Sequence, residues 1–506
     1  MKLITTMCVI VTCLIAIRVR AQPAFITDSL DTYITREMQR WNIPGVAIAI
    51  VKDGKVIAMK EYGVRDLDSK QGVDENTLFR IGSCTKAFTA TCVTLLDYQK
   101  KLSLEDHVTK WIPDFRMYDT CTTTDVRIRD ILCHRLGLET FEGDFVNWNS
   151  TMTRMEIIHN LRNLKPVYPF RTTWGYCNAG FVTAGQIIQN VTGKTYEEFV
   201  KDNILDPLQM TRSSTSYNAI KTDNNAASAY TLVNNAISKI DYDNTDNMTP
   251  AASINSCAHD MANWLMMQLG NGMFNGTQVI PKEVLDETHT SQDVISDRYS
   301  QLFPAQHFSN YCLGWEAMDY AGKKVVSHDG GVYGFVTNVT LIPEENIGWV
   351  ILTNTDVNNL YVSLQYQFLD AFMNLPYKNY SSIFYNFSKK GNDQQQKEID
   401  EWKKTVAKKN PPPMDLKYFC GKYHNAAYGD VEVKLEKKQL VIHFQHHNMT
   451  AILEYMDDTN FLCTYSDPEF AIKEVPFLLE EGKVKQMTLT CNDFIDFMTY
   501  DFMKVQ

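Results

Sequence analysis

Positive charge is what this 506-residue chain is short of: 49 lysines and arginines stand against 60 aspartates and glutamates, a net charge of −11. Such a balance repels phosphate backbones and anionic lipid, so nucleic acid and acidic membrane surfaces are excluded as partners. Long apolar runs are also scarce. The run from Met7 to Ile17 is shorter than the ~20 residues needed to cross a bilayer. No later segment is long enough, so stable membrane insertion is not expected. Internal repeats are absent. One histidine cluster, His443, His446 and His447, lacks the Cys or carboxylate pattern of a metal site. Strand parity puts only His443 and His447 on one face, and the stretch reads as a solvated strand.

What is present describes a globular protein: 44% hydrophobic and 22% charged residues give a sizeable core, and the length suggests two to four domains. The beginning reads as a secretory signal, residues 1–21, with Lys2, the apolar run, and Val19-Arg20-Ala21 before a mature start near Gln22. A secreted or extracellular protein is expected, its net charge then −14 without Lys2, Arg18 and Arg20. Eight sequons suit that compartment: Asn149, Asn190, Asn247, Asn275, Asn338, Asn379, Asn386 and Asn448. Pro250 directly after its Thr makes Asn247 the poorest acceptor. Some disulfides are expected among the ten cysteines left, with Cys84 and Cys177 kept reduced because they flank the proposed chemistry.

In chain order, an amphipathic helix from Phe25 to Trp41 leads through Pro44-Gly45 into the strand Val46 to Val51, and Asp53-Gly54 turns it into a second strand, Lys55 to Tyr62. A largely helical middle section runs from Leu102 to Leu265. Strands return at Gly314 to Glu316, Val325 to His328, Gly334 to Ile342 and Trp349 to Thr353, before a helix at Val362 to Met373. The economical architecture is an α/β unit, an antiparallel sheet flanked by helices with an all-helical subdomain. A Lys/Gln/Glu-rich stretch closed by Pro411-Pro412-Pro413 reads as a partly helical linker. Past it, Val431-Val433-Leu435, Leu440-Ile442-Phe444 and Val484-Met487-Leu489 alternate as a small antiparallel barrel or sandwich does.

One stretch carries chemistry: Ile81-Gly82-Ser83-Cys84-Thr85-Lys86, at a turn into a helix whose apolar stripe is Phe88, Cys92, Leu95 and Leu96. Residues three apart are neighbours on a helix, so Lys86 stands beside Ser83. A hydroxyl needs a base to attack a carbonyl, and a lysine serves only when burial makes it neutral. The Ser83 amide, at the helix start, suits half of an oxyanion hole. A second element, Tyr176-Cys177-Asn178, offers a loop phenol whose pKa a neighbouring ammonium lowers, fit to relay a proton, and an amide that orients Lys86 or the substrate. The third, His328-Asp329-Gly330-Gly331, sits at a strand end. Gly330 and Gly331 permit close approach, Gly331 supplies a second N–H to the oxyanion hole, and His328 lines the pocket as a polar or cationic group.

In order and rough spacing, these three elements resemble the penicillin-recognising serine hydrolases, in the branch of class C β-lactamases, DD-carboxypeptidases, D-aminopeptidases, family VIII carboxylesterases and animal β-lactamase-like proteins. The match runs from Phe25 to Met373, with Ile128-Arg129-Asp130-Ile131-Leu132, Asp206-Pro207-Leu208 and Asp260-Met261-Ala262-Asn263-Trp264 in support. The resemblance implies acylation of Ser83, shared general-base work by Lys86 and Tyr176, and no metal or cofactor. Tyr418 to Tyr423 with Tyr428-Gly429 resembles a lipocalin-like β-domain appended to some relatives. The chain departs from the pattern at Arg135-Leu136, Phe170, Gln209 and Ala252-Ser253. His328 replaces the usual lysine, as in esterase and aminopeptidase branches, which points away from antibiotic hydrolysis. The expected domains are a hydrolase unit at 22–380, a linker at 381–413 and a β-rich unit at 414–506. The expected activity is cleavage of a small ester, amide or short peptide. Acyl transfer on the same machinery, or a binding protein that kept the pocket, are the alternatives.

Overall fold

The computed structural model describes residues 22–233 and 236–505, so the signal-peptide reading of residues 1–21 falls outside the described residues. Strand β1 (Gly45–Lys52) explains the layering. Its residues Val46 to Val51 are all buried, and neighbouring side chains of a strand point to opposite faces. Val46, Ile48 and Ile50 therefore enter a core shared with helices α1 (Leu30–Trp41) and α5 (Leu360–Met373), while Ala47, Ala49 and Val51 enter another shared with α2 (Thr85–Tyr98) and α4 (Ala258–Leu269). A third helix, α3 (Asn178–Thr192), packs against α2 in the helical subdomain. Phe88 of α2 stacks on Trp264 of α4 at 4.0 Å, a pairing worth ~1 kcal/mol beyond area burial.

Eight antiparallel strands make the main sheet: β1, β2 (Lys55–Gly63), β3 (Asp293–Ser296), β4 (Ser309–Tyr311), β5 (Glu316–Tyr320), β6 (Lys323–Val332), β7 (Phe335–Ile342) and β8 (Ile347–Thr353). Their order, β2-β1-β8-β7-β6-β5-β4-β3, joins the two ends of the hydrolase unit through the β1–β8 pairing. The helical subdomain fills the long connection between β2 and β3.

The stretch read as a partly helical linker is one helix, α6 (Tyr380–Ala407), 28 residues long. Its start is pinned to α1: Ser381 accepts the Trp41 indole N–H at 2.8 Å and donates to Glu37 at 2.6 Å. Eight further strands follow, β9 (Gly421–Asn425), β10 (Gly429–Glu436), β11 (Gln439–Phe444), β12 (Thr450–Asp457), β13 (Asn460–Tyr465), β14 (Ile472–Glu480), β15 (Lys483–Leu489) and β16 (Tyr500–Lys504). They close into a barrel in which β9 pairs with β16. Phe145 of the helical subdomain is seated among the barrel rings Tyr428, Tyr465, Phe470 and Tyr500, so barrel and hydrolase unit share one core.

Four expectations change. His447 is buried rather than solvated: β11 ends at Phe444, and the His447 imidazole bridges the Tyr428 hydroxyl (2.6 Å) and the Trp148 carbonyl (3.0 Å). Burial lowers its pKa to about 4. Asn338 is unsuited to glycosylation, because it is fully buried in the central strand β7 and donates to Asp329 at 2.7 Å. Asn190, Asn275, Asn386 and Asn448 are exposed, whereas Asn149, Asn247 and Asn379 are half-buried. No disulfide forms among the described residues, where ten free thiols, Cys84 and Cys177 included, are mostly buried separately in the cores. The fourth concerns the site. No helix among the described residues is long and apolar enough to cross a membrane, and no metal-ligand group occurs among them.

Candidate active site

The turn Gly82–Cys84 opens α2 and lies against the end of β6. Closeness there is set by glycine. A Cβ on Gly330 would stand 1.9 Å from the Ile81 carbonyl oxygen, and one on Gly82, whose φ is +52°, would stand 2.7 Å from the Gly331 nitrogen. Cys84 adds a thiol bond to the His328 carbonyl at 3.2 Å. The backbone of Gly331 is thereby held beside the Ser83 turn, where two N–H groups can converge on one oxyanion.

Lys86 is fully buried on α2. Its Nζ lies 3.1 Å from Ser83 Oγ, 2.6 Å from Asn178 Oδ1 and 3.0 Å from the Ala251 carbonyl oxygen. A neutral amine has two hydrogens and one lone pair. Asn178 and Ala251 take the hydrogens, which leaves the lone pair facing the Ser83 hydroxyl. Burial lowers the Lys86 pKa to about 7, against the raising influence of Asp144, so the neutral form is accessible. Of the two tasks open to Asn178, the geometry assigns it the lysine. Its NH₂ donates to Asp144 Oδ2 at 2.5 Å, which fixes the amide with its oxygen toward Lys86. Burial pushes the Asp144 carboxyl well up, opposed by Asn178 and Lys86.

Tyr176 is packed into a ring cluster with His134 at 4.1 Å and Phe141 at 5.4 Å, and its own ring centre is 4.6 Å from Lys86 Nζ. The expected fall in phenol pKa does not occur, because burial dominates and pushes it well up. Ser83 is the neighbour that most opposes that rise, yet the phenol oxygen completes no hydrogen bond. The phenol is held in its neutral form beside the Ser83 hydroxyl. Of the polar and cationic roles open to His328, the neutral polar one holds. Burial and Lys86 lower its pKa to about 3, with Nδ1 at 2.6 Å from the Asp329 carbonyl oxygen and Nε2 at 3.0 Å from the Tyr311 hydroxyl.

Several participants have no local sequence signal. Asp144 opens a helix of only four residues, His134 stands in a turn, and Ala251 contributes only its carbonyl. The barrel also reaches the site. A Cβ on Gly331 would lie 2.9 Å from the Phe494 ring, and Phe497 stacks on Phe141 at 5.5 Å. Asp496 accepts the Gly143 and Phe145 amides at 3.1 Å each, holding the short helix Asp144–Asn147 by its first turn.

Comparison with known proteins gives a family model described as beta-lactamase over residues 30–370, and a second, described as a domain of unknown function, over residues 405–504. "Protein flp" of Staphylococcus aureus (strain MRSA252) is 29% identical over 363 residues, 70% of this chain and 68% of its own length. "Unguisins hydrolase ungD" of Aspergillus violaceofuscus is 27% identical over 438 residues, 80% of this chain and 76% of its own length. Among solved structures, an octameric penicillin-binding protein homologue from Pyrococcus abyssi shares the fold with a TM-score of 0.62 at 22% identity, covering 94% of this chain and 99% of that one.

Proposed function

The chain belongs to the beta-lactamase family, and from that premise we propose that it is a serine hydrolase cleaving an ester or amide through an acyl-enzyme on Ser83. The observation that carries the reading is the saturation of Lys86: both hydrogens of its neutral form have acceptors, and its lone pair has only Ser83. Lys86 takes the Ser83 proton as Oγ attacks the carbonyl carbon. The tetrahedral oxyanion is received by the amides of Ser83 and Gly331, and preorganised N–H donors of this kind are worth ~3 kcal/mol each. Tyr176, held protonated, donates to the leaving group and is reprotonated from Lys86. Water then attacks the acyl carbon along the same route in reverse.

Neutral His328 in place of a cation removes a counter-charge for a substrate carboxylate, which favours esters or amides without one. A relative described as a hydrolase supports bond cleavage by water. We read the protein as secreted, with glycans at the exposed Asn190, Asn275, Asn386 and Asn448. The test is a panel of p-nitrophenyl esters, D-aminoacyl anilides and a chromogenic cephalosporin, assayed with no added acceptor. Turnover of an ester or anilide that is lost in Ser83→Ala supports hydrolysis. Turnover only when an alcohol or amine is added makes the protein a transferase, and turnover that survives Ser83→Ala ends the reading.

A further inference from the structure

Past Gly331, β6 runs through Val332 into the tight turn at Tyr333 and Gly334. Two residues of extended chain carry it about 7 Å, and there it meets a cavity of about 510 Å³. Ser83 does not line this cavity. Phe494 does, and the same ring covers Gly331, so the nucleophile's cleft and the cavity share one aromatic wall. That ring is 40% exposed.

The cavity is rich in unmet acceptors. Tyr333 is only 7% exposed, and its hydroxyl has no partner. Asp356 accepts the Gly334 amide through Oδ2 at 2.8 Å, but its Oδ1 accepts nothing. Thr231 favours the Asp356 carboxylate from nearby without completing a bond to Oδ1. Buried acceptors are normally paired, so oxygens left bare around one void mark a place where a ligand supplies the donors. Among the described residues no lysine or arginine lines the void, whereas Tyr333, Tyr465 and Phe494 contribute ring surfaces.

The chemistry selects the ligand. Asp356 is the carboxylate that lines the void, and burial raises its pKa to about 6, so it ionises near neutral pH. One ionised carboxylate, a phenol oxygen and aromatic walls suit a single organic cation. The hard ions Ca²⁺ and Mg²⁺ take six or more oxygen ligands, more than these groups supply.

We propose that this cavity binds a protonated amine of the substrate, with Asp356 as its counter-ion and the Tyr333 hydroxyl as a second acceptor. The enzyme then selects esters or amides that carry an ammonium group one cavity's distance from the reacting carbonyl. This inference rests on the hydrolase reading for its link to catalysis, but the binding itself does not. The experiment uses the full-length Ser83→Ala chain, which cannot turn over, and titrates it calorimetrically with 5-aminopentanoyl anilide and with the N-acetyl form of the same compound. The amine is expected to bind at least tenfold tighter than its acetylated twin. Asp356→Asn in the same background, which keeps an acceptor for Gly334, is expected to bring the two within threefold. Tyr333→Phe, which removes an oxygen without a protein partner, is expected to weaken the amine severalfold at an unchanged melting temperature. Equal affinities for the two compounds, or a preference that survives Asp356→Asn, overturns the proposal. Fluorophosphonate labelling of the native chain reports separately on Ser83: a chain that prefers the amine but takes no label keeps the cavity and loses the hydrolase reading.

Discussion

At the scale of single residues the account depends on one amine losing its charge. Lys86 titrates near 7 because burial penalises its ammonium form. Only the unprotonated form can receive the Ser83 proton, so kcat/KM is expected to rise with pH, up to tenfold per unit, from pH 5 to about 7 and then level. A flat profile across that range would remove Lys86 as the base. Lys86→Arg keeps the donors toward Asn178 and Ala251 but cannot deprotonate, and a loss of ~10²- to 10⁴-fold in kcat/KM is expected. Sequence spacing placed Lys86 beside Ser83, since three residues on a helix suffice for that. It gave no hint of Asp144, which is 34 residues from Asn178 and reaches it only after the helical subdomain has folded.

At the scale of elements, the site is a strand pressed onto a helix start. Gly330→Ala would drive a methyl into the Ile81 carbonyl, backbone against backbone. Expected is a loss of ~1–3 kcal/mol in denaturant unfolding, of the order of overpacking costs, together with loss of turnover. Gly331→Ala meets only the far end of the Phe494 ring, and the Phe494→Ala partner change is expected to relieve it, as a double-mutant cycle on stability checks. The β-branched run Val46 to Val51 makes β1 legible, and the Asp53-Gly54 turn makes its hairpin with β2 legible. The sequon at Asn338 is legible in the sequence, but its burial is not, because Thr337, Asn338 and Thr340 interrupt an apolar strand that the fold covers on both faces. His447 failed for another reason, because strand parity was extended past the end of β11.

At the scale of the molecule, the barrel belongs to the catalytic assembly. Asp496 holds the backbone of the Asp144 turn, Phe145 fills the barrel's aromatic interior, and Phe494 covers the oxyanion strand. Asp496→Ala leaves the buried Phe145 amide without an acceptor, while Gly143 keeps the Tyr500 hydroxyl, and a lost partner of this kind costs ~1–3 kcal/mol. A lower melting temperature and a reduced kcat are expected, with Ser83, Lys86 and Tyr176 themselves untouched. A barrel that only decorates the enzyme would leave kcat unchanged. The barrel's strands are readable from alternation, but its place over the site is not, because contacts between residues far apart along the chain leave no periodic trace. The most direct measurement of the central claim is mass spectrometry of a peptide digest after treatment with a fluorophosphonate. A single adduct on the peptide bearing Ser83, formed faster as the pH rises through 7 and absent from Ser83→Ala, is predicted. An adduct on another residue, or none at a pH where Lys86 is neutral, would contradict it.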